Sequence, residues 1–185
     1  MVLANSDITE AGPPMPMRAM TSRASNAKWH FCGVGPVTSV FESSEYHEVV
    51  TFTYQWRGEF ENCELNVLHS DAFGSRVEDP IETDWESLLG RHSLGWVTAR
   101  NGTHLLGFVN VIWDGQAHAW IQDVMVESTS RNLGIGSQLI TTACEATRNA
   151  GCEWLHVDFE DRLSKFYFDA CGFKPTTAGL IRLRE

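Results

Sequence analysis

The feature that most restricts the fold of this chain is a pair of glycine turns, Asn101-Gly102 and Asp114-Gly115, set among β-type sequence. Asn-Gly supplies the positive φ that a two-residue hairpin requires, so residues 95–100 and 104–113 are turned back against each other. Asp114-Gly115 repeats the reversal, and residues 117–126 read as a third strand. Connections this short allow only antiparallel neighbours, so the three runs form a meander.

Then the periodicity changes. Residues 135–149 carry Leu139, Ile140, Ala143, Ala146 and Thr147 at helical spacing, with Gly151 as a stop. Residues 154–159 read as a short strand, 163–171 as a helix closed by Gly172, and 178–183 as a final strand. Upstream, β-branched and aromatic residues predict a strand over 49–56. Helices are expected over 61–71 and 84–92, the second with Asp84 as N-cap. The order is strand, two helices, meander, helix, strand, helix, strand. It predicts an α+β fold: a mixed, mostly antiparallel sheet flanked by helices, with one βαβ crossover.

That regular pattern occupies residues 46–185. Residues 1–45 differ: Gly12-Pro13-Pro14-Met15-Pro16 suits neither a helix nor a central strand, and the segment reads as a loosely ordered arm or extra upstream sequence. Over 185 residues the formal net charge is −10. Such a balance disfavours nucleic acid or an anionic membrane surface as partner and favours a cationic one. The five cysteines are odd in number and none has Cys-x-x-Cys spacing, so free thiols and a cytoplasmic location are expected, without a metal site.

The chemistry-bearing motif lies between the meander and the long helix: Arg131-Asn132-Leu133-Gly134-Ile135-Gly136-Ser137. Glycines in a strand-to-helix turn let the backbone approach a ligand, and the helix start offers N–H groups to an anion. No lysine follows Gly136, which argues against a nucleotide-hydrolysing P-loop. Leu139 stands where a dinucleotide fingerprint requires its third glycine.

Three matches in order, Asp123-Val124-Met125-Val126, then Arg131-x-x-Gly134-x-Gly136, then an aromatic pair and Gly172-Phe173, resemble the GNAT superfamily of acetyl-CoA-dependent N-acetyltransferases. The resemblance implies a GNAT-like fold, acetyl-CoA as co-substrate, no metal, and a small-molecule amine as partner; a homodimer is allowed. It also implies that Val124, Met125 and Val126 offer main chain to the pantetheine arm, while residues 131–137 receive the pyrophosphate. Asp123, at the acidic position of the strand signature, is the expected base, with Asp158 and Glu160 as second choices. Tyr167 is the expected acid for the leaving thiolate, but it stands one place before the family's usual position, which Phe168 occupies. Either the end of that helix is bulged, or Tyr167 points into the core.

The region between the first two helices often walls the acceptor site in the family. Here residues 57–90 hold nine acidic and two basic residues. Glu82, Asp84 and Trp85, with Asp158 and Glu160, would suit a polycationic amine through Coulomb and cation–π attraction. An aminoglycoside-type antibiotic or a polyamine fits that pattern. A protein N-terminus or lysine is the alternative acceptor, and a non-catalytic acyl-CoA-binding module is the second alternative.

Overall fold

The computed structural model describes residues 35–42, 49–74 and 82–184. Six strands form one sheet in the order β1-β2-β3-β4-β5-β6: β1 (Val37–Glu42), β2 (Val49–Trp56), β3 (Ser93–Asn101), β4 (His104–Trp113), β5 (His118–Val126) and β6 (Trp154–Val157). Every neighbouring pair is antiparallel except β5 and β6, which run parallel across the crossover helix. The meander is β3-β4-β5, with Gly102 and Gly115 both at positive φ as their turns demand.

Helices α1 (Asn62–Phe73) and α2 (Trp85–His92) pack on β3, β4 and β5. Asp84 caps α2 by accepting the Ser87 N–H at 3.0 Å. Leu65, Leu68, Trp85 and Leu89 bury against Leu105, Phe108 and Met125 on that face. Helix α3 (Ile135–Asn149) covers the other face, where Ile135, Leu139, Ile140 and Ala143 meet Val97, Ala99, Val109, Val111, Ala119 and Ile121. The alternation along each strand thus feeds two cores, one per face.

Three expectations meet a different outcome. Strand β1 lies inside the segment read as an arm; its Val37-Thr38-Ser39-Val40 pattern is β-type, and β2 supplies the ladder that makes it a strand. The helix expected over 163–171 is a 3₁₀ turn, Asp161–Leu163, followed by a π-helix, Lys165–Ala170. The closing strand expected over 178–183 is irregular, with Leu180, Ile181 and Leu183 exposed. Residues 1–34 of the arm, and the acidic residues Glu78 and Asp79, lie outside the described residues.

Candidate active site

Strand β6 ends at Val157, opposite Ile121, whereas β5 runs on to Val126. The sheet therefore parts beyond Ile121, and the main chain of β5 from Gln122 onward faces a gap on its β6 side. On the other side the register of β5 with β4 shifts, so that Asp123 and Val124 stand opposite Val109 alone. This is a β-bulge, and Asp123 takes the left-handed φ of 51° there. A bulge re-aims its side chain. The Asp123 carboxyl is hydrogen-bonded by the Asn110 side chain, which itself accepts the Ser93 hydroxyl at 2.6 Å.

Burial pushes the Asp123 carboxyl above the usual aspartate range; the Asn110 hydrogen bond and the charge of His69 oppose that rise without cancelling it. His69 reaches this place from α1, its ring 4.9 Å from Phe73 and 5.6 Å from Trp85. The sequence identified Asp123; it did not identify Asn110, Ser93 or His69. Asn110 and His69 meet Asp123, and Ser93 meets Asn110, only through strand register and helix packing, and none stands in a local motif.

Val124 and Val126 pack against the α3-side core, and Met125 is buried on the opposite face. Their contribution to the gap is main chain, as a ligand that pairs along a strand edge requires. After β5 a 3₁₀ turn, Ser128–Ser130, leads into the glycine loop. Asp71 of α1 accepts the Ser128 N–H at 2.6 Å and its hydroxyl at 2.8 Å. Arg131 reaches the carbonyls of Val126 and Ala72, at 3.4 and 3.3 Å, so its guanidinium ties the loop to α1.

Asn132 and Gly134 both have positive φ, 66° and 80°, and Gly134 is the N-cap of α3. No side chain caps that helix, so its first-turn N–H groups remain for an anion. The Ser137 hydroxyl turns back to the Gly134 carbonyl at 2.9 Å. Leu133 packs into the core and Ile135 is buried. Gly136 has a packing role: a Cβ there would lie 3.2 Å from the Phe166 ring, so the missing side chain lets the π-helix dock against α3. The residues of this loop fit a pyrophosphate cradle, with backbone groups as the donors.

Tyr167 satisfies both halves of the sequence ambiguity. The π-helix adds one residue to its turn: the Cys171 N–H bonds the Phe166 carbonyl, and the Phe173 N–H bonds that of Tyr167, both at 3.0 Å. The extra residue between Tyr167 and Gly172-Phe173 is absorbed there. The tyrosine is 5% exposed, its ring 4.5 Å from Phe159 and edge-on to Phe166 and Phe173. Burial, and to a lesser extent Cys171, pushes its phenol up to about 12. Its hydroxyl has no hydrogen-bond partner among the described residues and is not sealed in, unlike the Thr147 hydroxyl.

The acidic acceptor wall is differently built from its expectation. Trp85 is 3% exposed, with its indole N–H donated to Asn66 Oδ1 at 3.0 Å, so it belongs to the core and offers no open ring face. Asp84 serves as the α2 cap, and Glu82 is exposed beside it along a groove with Asn62, Asn66 and Ser70. Asp158 and Glu160 are exposed past the end of β6, where Arg162 pairs with Glu160. His118 and His156, on the neighbouring strands β5 and β6, meet at 2.8 Å between Nδ1 and Nε2. Among the described residues no group of three His, Cys, Asp or Glu side chains is placed to hold a metal, and no helix is long and apolar enough to cross a membrane.

A family model described as "Acetyltransferase (GNAT) family" matches residues 54–173. The chain belongs to that family. A curated relative, glucosamine 6-phosphate N-acetyltransferase of Trypanosoma brucei brucei, is 35% identical over 60 residues, which is 32% of this chain and 40% of that protein. The chain thus matches well under half the length of that relative. The fold matches a GNAT-family acetyltransferase of Streptococcus pneumoniae with a TM-score of 0.58 at 19% identity, over 72% of this chain and 98% of the other. It also matches an aminoglycoside N-acetyltransferase solved with coenzyme A, with a TM-score of 0.58 at 17% identity, over 72% and 94%.

Proposed function

We propose that this protein transfers the acetyl group of acetyl-CoA to a primary amine of a cationic small molecule, an amino sugar of the aminoglycoside type or a polyamine. The observation that carries this reading is the gap between β5 and β6, with the raised carboxyl of Asp123 beside it and the uncapped start of α3 at its end. In this reading the main chain of residues 124–126 pairs with the pantetheine arm, and N–H groups of residues 132–137 take the pyrophosphate. Acetyl-CoA supplies the activated thioester.

The amine must be neutral to attack. Asp123 takes its proton, directly or through water, and a carboxylate with a raised pKa is better matched to that task than an ordinary one. The amine nitrogen bonds to the thioester carbon, the carbon–sulfur bond breaks, and the Tyr167 hydroxyl protonates the leaving thiolate. The π turn supports this role, because it offsets the one-residue displacement of Tyr167 from the family's usual position.

The names of the relatives favour an amino sugar over a peptide: one acts on glucosamine 6-phosphate and another on aminoglycosides. Glu82 and the acidic surface around it attract a cation, whereas Trp85 plays no part in contacting it. The test is release of free coenzyme A from acetyl-CoA in the presence of aminoglycosides, glucosamine, polyamines, amino acids and peptides. Turnover with the cationic amines is expected; release with none of them, or with peptides alone, would sink the proposal.

A further inference from the structure

Two β-bulges flank Asn110. In the β3–β4 ladder the register shifts between Ser93 and Gly95, which leaves Leu94 as an extra residue. In the β4–β5 ladder it shifts between Phe108 and Asn110, and there the extra residue is Asp123. Alternation resumes on either side of it: Ile121 and Val124 pack in the core beneath α3, while Met125 packs beneath α1 and α2 with Phe108. Asn110 lies two residues from Phe108 and so presents its amide on the α1–α2 face. Ser93, opposite Ile112, stands on the same face one diagonal away. One buried amide is thus set between a hydroxyl from β3 and a carboxyl from β5.

We infer that Ser93 is a positioning residue for the reaction, acting through Asn110 to hold the Asp123 carboxyl in the ionised form that takes the proton of the amine; the inference rests on the proposed acetyl transfer. An ionised carboxyl only accepts hydrogen bonds, so Asn110 must turn Nδ2 toward Asp123 and Oδ1 away from it. Asn110 is 3% exposed, and in place of water its Oδ1 meets the Ser93 hydroxyl at 2.6 Å. Ser93 is itself fixed, since its N–H caps α2 by bonding the Leu89 carbonyl. Without the hydroxyl, Oδ1 is a buried acceptor with no donor. Turning the amide over relieves this, because Oδ1 then faces Asp123 and accepts from a protonated carboxyl. The serine therefore selects the amide orientation that favours the charged acid. Among the charged groups of the elements around this face, His69 of α1 is the one whose charge acts on Asp123. Glu64 of α1 pairs with Arg100, Asp71 holds Ser128, His104 of β4 pairs with Glu127, and His156 of β6 bonds His118. Glu86, Arg91 and His92 of α2 are exposed.

The test compares the pH profiles of kcat/KM for the wild type, Ser93→Ala and Ser93→Thr, with glucosamine and spermidine as acceptors. The titration of the amine is common to all three proteins, so the comparison isolates Asp123. In Ser93→Ala the acidic limb should move to higher pH by about 0.5 to 1 unit, a loss of about three- to ten-fold below the limb that shrinks as pH rises. Ser93→Thr keeps the hydroxyl and should restore the wild-type limb. A loss of rate that is equal at every pH, or no loss, overturns the positioning role while leaving the acetyl-transfer reading intact. If Ser93→Ala does not fold, Ser93→Cys, with a weaker donor of similar size, should shift the limb in the same direction, and an unmoved limb there overturns the role. If neither amine is acetylated, the proposed reaction fails, and NMR titration of ¹³C-labelled aspartate decides the positioning separately, the Asp123 signal being the one missing from Asp123→Asn. Asp123 titrating at higher pH in Ser93→Ala, and at the wild-type pH in Ser93→Thr, supports the role; coincident titrations in all three overturn it.

Discussion

Asp123 and Asn110 are joined across a β-bulge: the carboxyl of one is hydrogen-bonded by the side chain of the other, and Ser93 fixes the amide from behind. Asn110 is almost fully buried, so its orientation is set by the sheet and not by solvent. The acidic group beside the gap is thereby held by a rigid partner, as a proton acceptor needs to be.

Replacing Asp123 by Asn should separate activity from stability. Asn tolerates the left-handed φ at this bulge, so the backbone keeps its shape. On the proposed mechanism kcat falls by about 10²-fold or more. The folded pKa of Asp123 is raised, so the stability it contributes is present below the ordinary value of 3.8 and is lost as pH rises through the folded value. At pH 7 the buried charge is a cost that the amide lacks. Asp123→Asn should therefore melt no lower than wild type at pH 7, and its advantage should vanish toward pH 3. Thermal melts at both pH values, run beside the thiol-release assay, check both halves.

The α1-side tether works in the opposite sense. Asp71 accepts two hydrogen bonds from Ser128, the backbone one being the larger cause of its lowered pKa. A depressed carboxylate pKa contributes stability above 3.8 that is lost as pH falls through the folded value. Asp71→Ala should loosen the turn before the glycine loop. Coenzyme A affinity should drop several-fold at neutral pH, and the difference in melting temperature from wild type should close as pH approaches 3. An unaltered calorimetric Kd for coenzyme A would show that the tether does not shape the loop.

Tyr167→Phe tests the proposed acid without disturbing the core. The hydroxyl bonds nothing among the described residues, and the ring contacts with Phe159, Phe166 and Phe173 survive in phenylalanine. With the phenol pushed up to about 12, tyrosine stays protonated across the working range, as a proton donor must. Its raised pKa also means that any stability it contributes through titration is lost only above pH 10, so melts near pH 7 should coincide. The expected result is a kcat loss of about 10²-fold with unchanged melting temperature. Full kcat in the variant would assign thiolate protonation to another group or to water.

What was legible in the sequence was what local chemistry dictates. Asn101-Gly102 and Asp114-Gly115 specify their own reversals, and the 3.6-residue spacing of Leu139, Ala143 and Ala146 specifies α3. Asp123 and the glycine loop were legible because they lie within short contiguous motifs. Asn110, Ser93 and His69 were not, since Asn110 and His69 meet Asp123, and Ser93 meets Asn110, only after β3, β4 and α1 are assembled. Trp85 misled for a related reason: its acidic sequence neighbours suggested an exposed cation site, while the tertiary fold uses its indole to fill the space between Asn66 and Phe108. The π-helix combines both cases. The spacing of Tyr167 from Gly172-Phe173 revealed an extra residue, but only the backbone bonding shows where it is absorbed.

The two loop glycines should respond differently to alanine, because they are required for different reasons. Gly134 sits at φ 80° with open space around its Cβ position, so Gly134→Ala meets backbone strain alone, about 1 kcal/mol. Its expected effect is weaker coenzyme A binding, and no neighbouring substitution should restore it. Gly136 lies in helical backbone with the Phe166 ring 3.2 Å from the added carbon, so Gly136→Ala meets a tight side-chain contact that the ring must yield to. Trimming that ring with Phe166→Leu should recover most of the affinity lost in Gly136→Ala, giving a favourable coupling of about 0.5 kcal/mol or more in a double-mutant cycle. The same Phe166→Leu change combined with Gly134→Ala should give additive losses. Calorimetric coenzyme A affinities for the wild type, the three single variants and their two combinations decide the matter: rescue at Gly134, or its absence at Gly136, would contradict the assignment of conformational and packing roles.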